Sequence, residues 1–485
     1  MTINNLAYKI RFSKRKVIVL LLGISMTSCI PSKNIRKENN SLPKSYGNIA
    51  VQDTVNSALI NWNEFFQDEY LKTLIDSALV NNQELNIMMM QVDMSKNEIR
   101  ARKGEYLPFV NAIAGGEVEK VGRYTSQGAN DANTEIRSGE EFPEPLPNYQ
   151  VGVFASWELD VWNKLRNSKK AAVMEYLSSV EGQNFMKTNL ITEIADAYFE
   201  LEALDNKLLI IEQNLKLQND GLKTVRLQKQ AAKATELGVQ RLEAEVYKNR
   251  NELYLVKQEI VETENRINFL VGRSPQPILR NSEDFIEKKL DTVFLGIPSQ
   301  LLRNRSDIRK AEYELAATKL DVKSAKANFY PSFTIRAGAG LEAFNLKYLT
   351  KTPESLLYSV VGDMVAPLVN RNAIKATYLN ASDKQLQAIF EYEKTILNAY
   401  IEVVNQQSKM QNLNKQYELK ENQVNALTKS IDITNKLFRS ARADYMEVLL
   451  TQRDALESKI ELVETKKEQL LARISMYRNL GGGWQ

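Results

Sequence analysis

Residues 167–231 read NSKKAAVMEYLSSVEGQNFMKTNLITEIADAYFELEALDNKLLIIEQNLKLQNDGLKTVRLQKQA, a run without proline and with only two glycines. Charges of both signs interleave with apolar residues at helical spacing, and a second run of the same character extends from Ile374 to about Ser440. At roughly 1.5 Å per residue, each is a helix on the order of 100 Å long. A compact globular domain has no use for such a rod, whereas a molecule that reaches across a gap does. The other segments are what sits at either end of it.

The 485 residues could hold two or three ordinary domains, but the two halves look alike, and one duplicated unit accounts for them better. A formal net charge of +4 gives no case for nucleic acid or for a highly acidic partner. The chain has no His, which removes the commonest general base and the commonest transition-metal ligand. Its single Cys, Cys29, leaves neither an intrachain disulfide nor a thiolate metal cluster. Phosphate-binding glycine loops and nucleophile elbows are also missing. The expectation is a protein that is not an enzyme and needs no cofactor or metal.

At the N-terminus, Lys9, Arg11, Lys14, Arg15 and Lys16 precede a short apolar stretch, Val17 to Ile24. A bilayer span needs about 20 apolar residues, so this reads as a signal peptide. Met26-Thr27-Ser28-Cys29 resembles a bacterial lipoprotein cleavage site, with Met26 where Leu is usual. The reading is a signal at 1–28, acylation of Cys29, and a polar arm over 29–60. Ile30 after the Cys is compatible with sorting to an outer membrane. The bland alternative is an ordinary secretory signal with an incidental Cys.

Beyond the arm, Trp62, Phe65, Leu71, Leu74, Ile75 and Ala78 have amphipathic helical spacing, and a second helix is expected from about Gln83 to Lys103. Pro108 ends it. Phe109 to Val121 and Tyr149 to Val161 are strand-like and joined by a polar linker. Val151, Val153, Ala155 and Trp157 alternate with Gly152, Phe154, Ser156 and Glu158. A membrane β-barrel strand and a water-soluble hairpin both show this alternation. The long helix follows, falters near Ala231 to Gly238, resumes, and stops at Gly272 and Pro275.

The programme then repeats: a helix over about Ser299 to Asn328, strands at Ser332 to Phe344 and about Leu356 to Val369, the second long helix, a faltering at Arg439 to Tyr445, and a close at Leu480-Gly481-Gly482-Gly483-Trp484. Pro108 and Pro331 lie about 220 residues apart, and Leu270 and Leu480 about 210. The expected repeats are 61–275, with a hairpin at 106–161, and 299–485, with a hairpin at 330–369, linked by 276–298. In each half the two shorter helices stacked end to end approach the length of the long one, giving a two-stranded rod with a hairpin at one end. Four strands cannot close a barrel, for which about eight are needed, and open sheet edges do not survive in lipid. Transmembrane hairpins would therefore require several chains to share one barrel.

These residues resemble the TolC-like outer-membrane efflux channels, most closely the lipoprotein branch paired with resistance-nodulation-division (RND) pumps. The resemblance rests on Trp62-x-x-Phe65 with Leu74-Ile75-x-x-Ala78-Leu79, on Ser156-Trp157-Glu158-Leu159-Asp160-Val161-Trp162, on Ile297-Pro298-Ser299 through Arg305-Ser306-Asp307, on Phe329-Tyr330-Pro331, and on the terminal Leu-Gly-Gly-Gly-Trp. It covers essentially the whole mature chain. It implies a mainly α protein with a membrane β-barrel portion: a homotrimer with a barrel of twelve strands in the outer membrane and a long α-helical barrel crossing the periplasm. It also implies a periplasmic adaptor and an RND-type inner-membrane transporter as partners, with outer-membrane lipid around the barrel.

The chain departs from the family pattern at four places. Ser306 stands where Pro is usual, and Ala232 and Ala441 stand at the tip turns where Gly is usual. Leu450 aligns with the aspartate that often rings the periplasmic aperture. The gate candidates are therefore the charges the tip does carry: Glu236, Asp444 and Glu447, with Arg439 and Arg442 beside them. Three copies of a carboxylate in a narrow mouth would favour cations; the alternative is ordinary solvated charge at helix ends. Trp157 and Trp162 are candidate membrane-interface anchors, or else packing at the strand–helix junction. Met88-Met89-Met90 invites a copper site, but consecutive residues diverge around a helix and fit packing better.

The expected function is the outer-membrane channel of a tripartite efflux system, a passive conduit with a gate at its periplasmic tip. The rivals are a lipid-anchored periplasmic coiled-coil scaffold and the channel of a type I protein secretion system.

Overall fold

The computed structural model describes residues 33–47, 55–288, 292–440 and 442–484. The signal segment 1–28, Cys29 and Ala441 lie outside the described residues. Two compact units form, one from 94–176 and 313–389 with the segment up to Lys37, the other from 38–93, 177–312 and 390–485. Each unit takes segments from both sequence repeats.

The first unit carries a four-stranded sheet of β1 (Phe109–Glu119), β2 (Leu146–Leu159), β3 (Ser332–Ala343) and β4 (Leu356–Val365), antiparallel throughout and in that order. One hairpin comes from each repeat, and the β2–β3 ladder, where Val153 pairs with Ala339, joins them. The strands end sooner than the alternation suggests. After Leu159 the chain turns, and the Asp160 carboxylate accepts hydrogen bonds from the amides of Leu165 (3.0 Å) and Arg166 (2.9 Å). After Val365, Pro367 has no N–H to give a ladder. The 120–145 linker holds a short helix, Ser126–Asp131, capped by Thr125, and a small ladder between Glu135–Arg137 and Glu140–Glu141. In one chain β1 and β4 are open edges.

The helices are α1 (Glu69–Asn81), α2 (Gln83–Tyr106), α3 (Lys164–Gln230), α4 (Glu236–Val271), α5 (Ser306–Ala327), α6 (Asn372–Arg439) and α7 (Tyr445–Asn479). The long ones, α3 and α6, run unbroken for 67 and 68 residues. The shorter α2 and α4 have 24 and 36 residues, and α5 and α7 have 22 and 35. The amphipathic stretch from Trp62 splits into one turn, Trp62–Phe65, and α1, because Asp68 caps a fresh N-terminus by accepting from Tyr70 and Leu71. No described helix is long and apolar enough to cross a membrane.

In the second unit Leu71, Ile75, Ile191, Ile194, Tyr198, Leu201, Ile267 and Tyr477 make a continuous buried core. Phe65 stacks on Tyr477 at 4.0 Å, and the Tyr477 hydroxyl donates to the carbonyl of Ile60 at 2.6 Å. That ring dictates the terminal glycines: a Cβ on Gly482 would sit 2.3 Å from it. Gly481, at φ +95°, would meet the Asn304 carbonyl. The connection at 276–298 is clamped to α3 and α4 by charge. Arg280 reaches Asp205 (2.5 Å) and Glu264 (2.6 Å), and Lys288 reaches the buried Glu202 (2.6 Å). Burial pushes the Glu202 carboxyl up to about 7 against the opposing pull of Lys288.

Candidate functional site: a two-faced sheet and two helical corners

The strand registers sort side chains into two faces. One face carries Val110, Ala112, Ala114, Gly116 and Val118 of β1, then Tyr149, Val151, Val153, Ala155, Trp157 and Leu159 of β2. It continues with Phe333, Ile335, Ala337, Ala339, Leu341 and Ala343 of β3 and Leu356, Tyr358, Val360, Gly362 and Met364 of β4. No charged or amide side chain interrupts it. Much of it is open to solvent in the single chain: Val110 is 61% exposed, Tyr358 76% and Val360 79%. The opposite face carries Asn111, Glu117, Glu119, Asn148, Gln150, Ser156, Glu158, Thr334, Arg336, Glu342, Ser359 and Asp363, with glycines and some apolar residues between, Phe109, Ile113, Phe154, Leu357 and Val361 among them. Arg336 pairs with Asp363 at 3.3 Å, and Asn148 donates to Glu342 at 2.7 Å.

Tyr149 to Leu159 spans about 33 Å at roughly 3.3 Å per residue. Tilted by about 40°, that covers about 25 Å, the height of the apolar band on a transmembrane barrel. A water-soluble sheet with an uncovered apolar face of this size would aggregate.

Trp157 and Trp162 sit where the strands hand over to helices. The Trp157 indole donates to the carbonyl of Tyr106 (3.1 Å), at the end of α2. The Trp162 indole donates to the carbonyl of Pro331 (2.7 Å) and stacks on Tyr330 at 4.7 Å. Both indole N–H groups are thus spent on the protein's own backbone: Trp157 fastens the first hairpin's exit to its start, and Trp162 fastens that exit to the start of the second hairpin.

The two helical corners belong to the second unit. Where α3 ends, the Lys233 amide donates to the Gln228 carbonyl (2.8 Å) and the Ala232 amide to the Lys229 carbonyl (2.9 Å). This is the paired bonding of a Schellman turn, and Ala232 adopts φ +55° to make it. The missing Gly does not change the turn; an alanine takes the left-handed conformation instead. At the second corner the Arg442 amide donates to the Leu437 carbonyl (2.9 Å), the same five-residue reach. Thr235 caps α4 by accepting from Gly238 (3.2 Å), whereas Asp444 occupies the cap position of α7 with no side-chain cap bond.

Beneath the corners, Leu222, Val225, Val239, Leu242 and Leu449 form a small core with Tyr445 and Met446 against it. Tyr445 lies so close over Gly221 that a Cβ there would be 1.9 Å from its hydroxyl, and burial pushes that phenol up to about 12. The structure therefore brings both corners, and all five charges singled out in the sequence, to one place. Glu236 pairs with Lys229 and accepts from Gln240 (2.8 Å), and these contacts, Lys229 first, hold its carboxyl below the usual range. Asp444, Glu447, Arg439 and Arg442 are exposed and make no ion pair among the described residues. Leu450 is 42% exposed beside them. Sequence reasoning missed Lys229 and Tyr445: Lys229 meets Glu236 across the first corner's own turn, and Tyr445 meets Gly221 only because the two corners fold together.

A family model described as outer membrane efflux protein matches residues 74–273 and 297–482. The chain belongs to the outer membrane efflux protein family. Its two matched blocks carry both hairpins and both corners. The chain is 25% identical over 476 residues to the cation efflux system protein CusC of Escherichia coli O6:H1, covering 97% of this chain and 99% of CusC. It is 26% identical over 442 residues to the solvent efflux pump outer membrane protein SrpC of Pseudomonas putida, 91% of each chain. The pyoverdine export outer membrane protein OpmQ of Pseudomonas aeruginosa is 24% identical over 443 residues, 91% of each chain. In fold, the chain is similar to the open state of the Neisseria gonorrhoeae MtrE outer membrane channel, with a TM-score of 0.82 at 21% identity over 94% of this chain and 99% of MtrE. It is equally similar to a membrane protein from Pseudomonas aeruginosa, with a TM-score of 0.82 at 22% identity over 93% and 99%.

Outer membrane efflux proteins are transport proteins rather than enzymes, and they work as trimeric channels with an adaptor and an inner-membrane transporter. This member is placed accordingly in the outer membrane of a Gram-negative bacterium, extending into the periplasm. Its fold is the expected one, mainly helical with a barrel-forming sheet. Of the Met88-Met89-Met90 run, Met88 packs beside Gly182, while Met89 and Met90 are exposed in the single chain.

Proposed function

We propose that three copies of this chain form the outer-membrane channel of a tripartite efflux system. In this reading the three sheets close edge to edge into one barrel, with the apolar face in outer-membrane lipid and the polar face around a water-filled lumen. The single observation that carries it is the sheet-wide partition: the registers leave one face wholly apolar on an antiparallel sheet that has two open edges. A periplasmic scaffold would have no use for that face. The relatives named above belong to efflux systems, which favours a periplasmic adaptor and an RND-type pump over a type I secretion partner. Those relatives export unlike cargoes at nearly equal similarity to this chain. That fits a conduit whose walls do not choose, with selection made at the pump.

Cys29 is the acylated N-terminus in this reading, tethering the chain to the membrane. The gate lies at the two corners, where Glu236, Asp444 and Glu447 supply carboxylates and Arg439 and Arg442 supply opposing charge. Replacing Asp444 with Asn and Glu447 with Gln should change unit conductance or cation preference in planar bilayers; no change in either would remove these residues from the gate. Trp157 and Trp162 act as anchors near the membrane interface through their ring bodies, their N–H groups being already bonded. The protein mass of the detergent-solubilised complex, by light scattering, tests the whole reading. Three chains per particle are expected, and a stable folded monomer would overturn it.

A further inference from the structure

Two large aromatics lie on the polar face of the sheet: Phe109, where β1 begins, and Phe154 in the middle of β2, which is directly opposite a glycine, Gly338, with Asn111 and Ser359 completing the same row. A Cβ on Gly338 would lie 2.5 Å from Phe154 Cδ1, 2.7 Å from Cε1 and 3.5 Å from Cγ. A Cβ on Gly152, two residues back on the same face, would lie 3.1 Å from Cε2. The ring therefore lies across the backbone of two glycines instead of standing off the wall, and it is half-buried as a result. Neighbouring glycines differ in kind. A Cβ on Gly340 would strike the Val151 carbonyl (2.5 Å) and Gly152 Cα (2.7 Å), so that residue is small to let two strands approach. Gly115 has open space above it. Among the described glycines of this face, Gly338 is the one whose nearest obstacle is a side-chain ring, and its φ lies outside the left-handed region.

We propose that Phe154 sets the bore of the sheet-lined part of the conduit, and that Gly338 holds it flat against the wall. This rests on the channel reading, in which the polar face lines the lumen. A strand side chain stands nearly perpendicular to its sheet unless something permits it to lie down, and a phenyl ring standing off the wall reaches about 5 Å further into the pore than its Cβ. Three such rings at one height would make a collar. With Gly338 beneath, they become part of the wall, and an apolar surface is offered to passing cargo without narrowing the path.

The test is polymer sizing in planar bilayers, with polyethylene glycols of graded size added on the barrel side, on trimers that still show heat-modifiable mobility. Gly338→Ala keeps a permitted backbone but displaces the ring, and should lower the largest polymer that enters, with a fall in unit conductance on the order of 1.2- to 2-fold. Gly338→Val should do so more strongly. Phe154→Ala combined with Gly338→Ala should return the cut-off to at least the wild-type value, because the narrowing comes from the ring and not from the added methyl. An unchanged cut-off in both single Gly338 variants, or a double variant as narrow as Gly338→Ala, overturns the proposal. A wild-type protein that forms no channels would instead overturn the channel reading beneath it.

Discussion

Val153→Arg is the sharpest perturbation of the sheet. Val153 lies at the middle of β2 on the apolar face, paired with Ala112 on one side and Ala339 on the other, and is 52% exposed in the single chain. Its small partners leave room for a longer side chain, so packing alone gives no large penalty. On a sheet surrounded by water such a substitution stays within about 0.5 kcal/mol. In lipid the guanidinium sits near the bilayer midplane, where Arg costs about 2–4 kcal/mol per chain. Ser156→Arg, three residues along on the polar face, is the matched control and should be nearly neutral. Urea titration of the oligomer folded into phospholipid vesicles would read the difference, with Val153→Arg weaker than Ser156→Arg by at least about 2 kcal/mol. Equal stabilities would show that the apolar face does not meet lipid, and the orientation argued for the sheet would be wrong.

Three further outcomes are expected. Ala232→Gly relieves a left-handed alanine at the first corner and should stabilise that turn by about 1 kcal/mol, read as slower amide exchange over residues 228–240. Ser306→Pro should stabilise the fold by about 0.5–1 kcal/mol, read as a higher thermal midpoint. The reason is that Ser306 opens α5, Arg305 before it is extended, and the buried Ser306 hydroxyl has no hydrogen-bond partner among the described residues. Asp196 is largely buried, with one carboxylate oxygen unpartnered; burial pushes its carboxyl up to about 6, only partly opposed by Arg478 and Arg266. A raised carboxyl favours the protonated fold, so its contribution is present below about pH 4 and is lost as pH rises to about 6. Asp196→Asn should therefore stabilise at neutral pH, by on the order of 1–3 kcal/mol, and flatten the pH dependence between 4 and 6. An unchanged profile would mean that Asp196 is not ionising in that window.

The sequence by itself determined the elements and their order. Helical spacing sustained over 65 residues without proline admits only a long helix, Pro108 and Pro331 mark both helix-to-strand boundaries, and repetition at about 220 residues exposes the duplication. The terminal Leu-Gly-Gly-Gly-Trp run was legible as a stop signal, but its reason was not. Gly481 is small because of the Asn304 carbonyl, which is distant in sequence, and Gly482 because of the Tyr477 ring, which is near in sequence but held in place by the buried core. Element ends were legible only approximately, since Asp160 ends β2 through amides five and six residues on.

Tertiary structure alone decided the register and the partners. Alternation within β2 was compatible with lipid or water, because a single strand always has two faces. Aligning four strands so that every charged and amide side chain falls on one side removes that ambiguity, and alignment is a property of pairing between segments some 190 residues apart. The same holds at the corners. Glu236, Asp444 and Glu447 were visible as charges, but whether they were scattered or gathered depended on the Leu222–Leu449 core that draws the two corners together. Side-chain pattern is local information, while a shared face or a shared mouth is a relation between distant segments that only folding establishes.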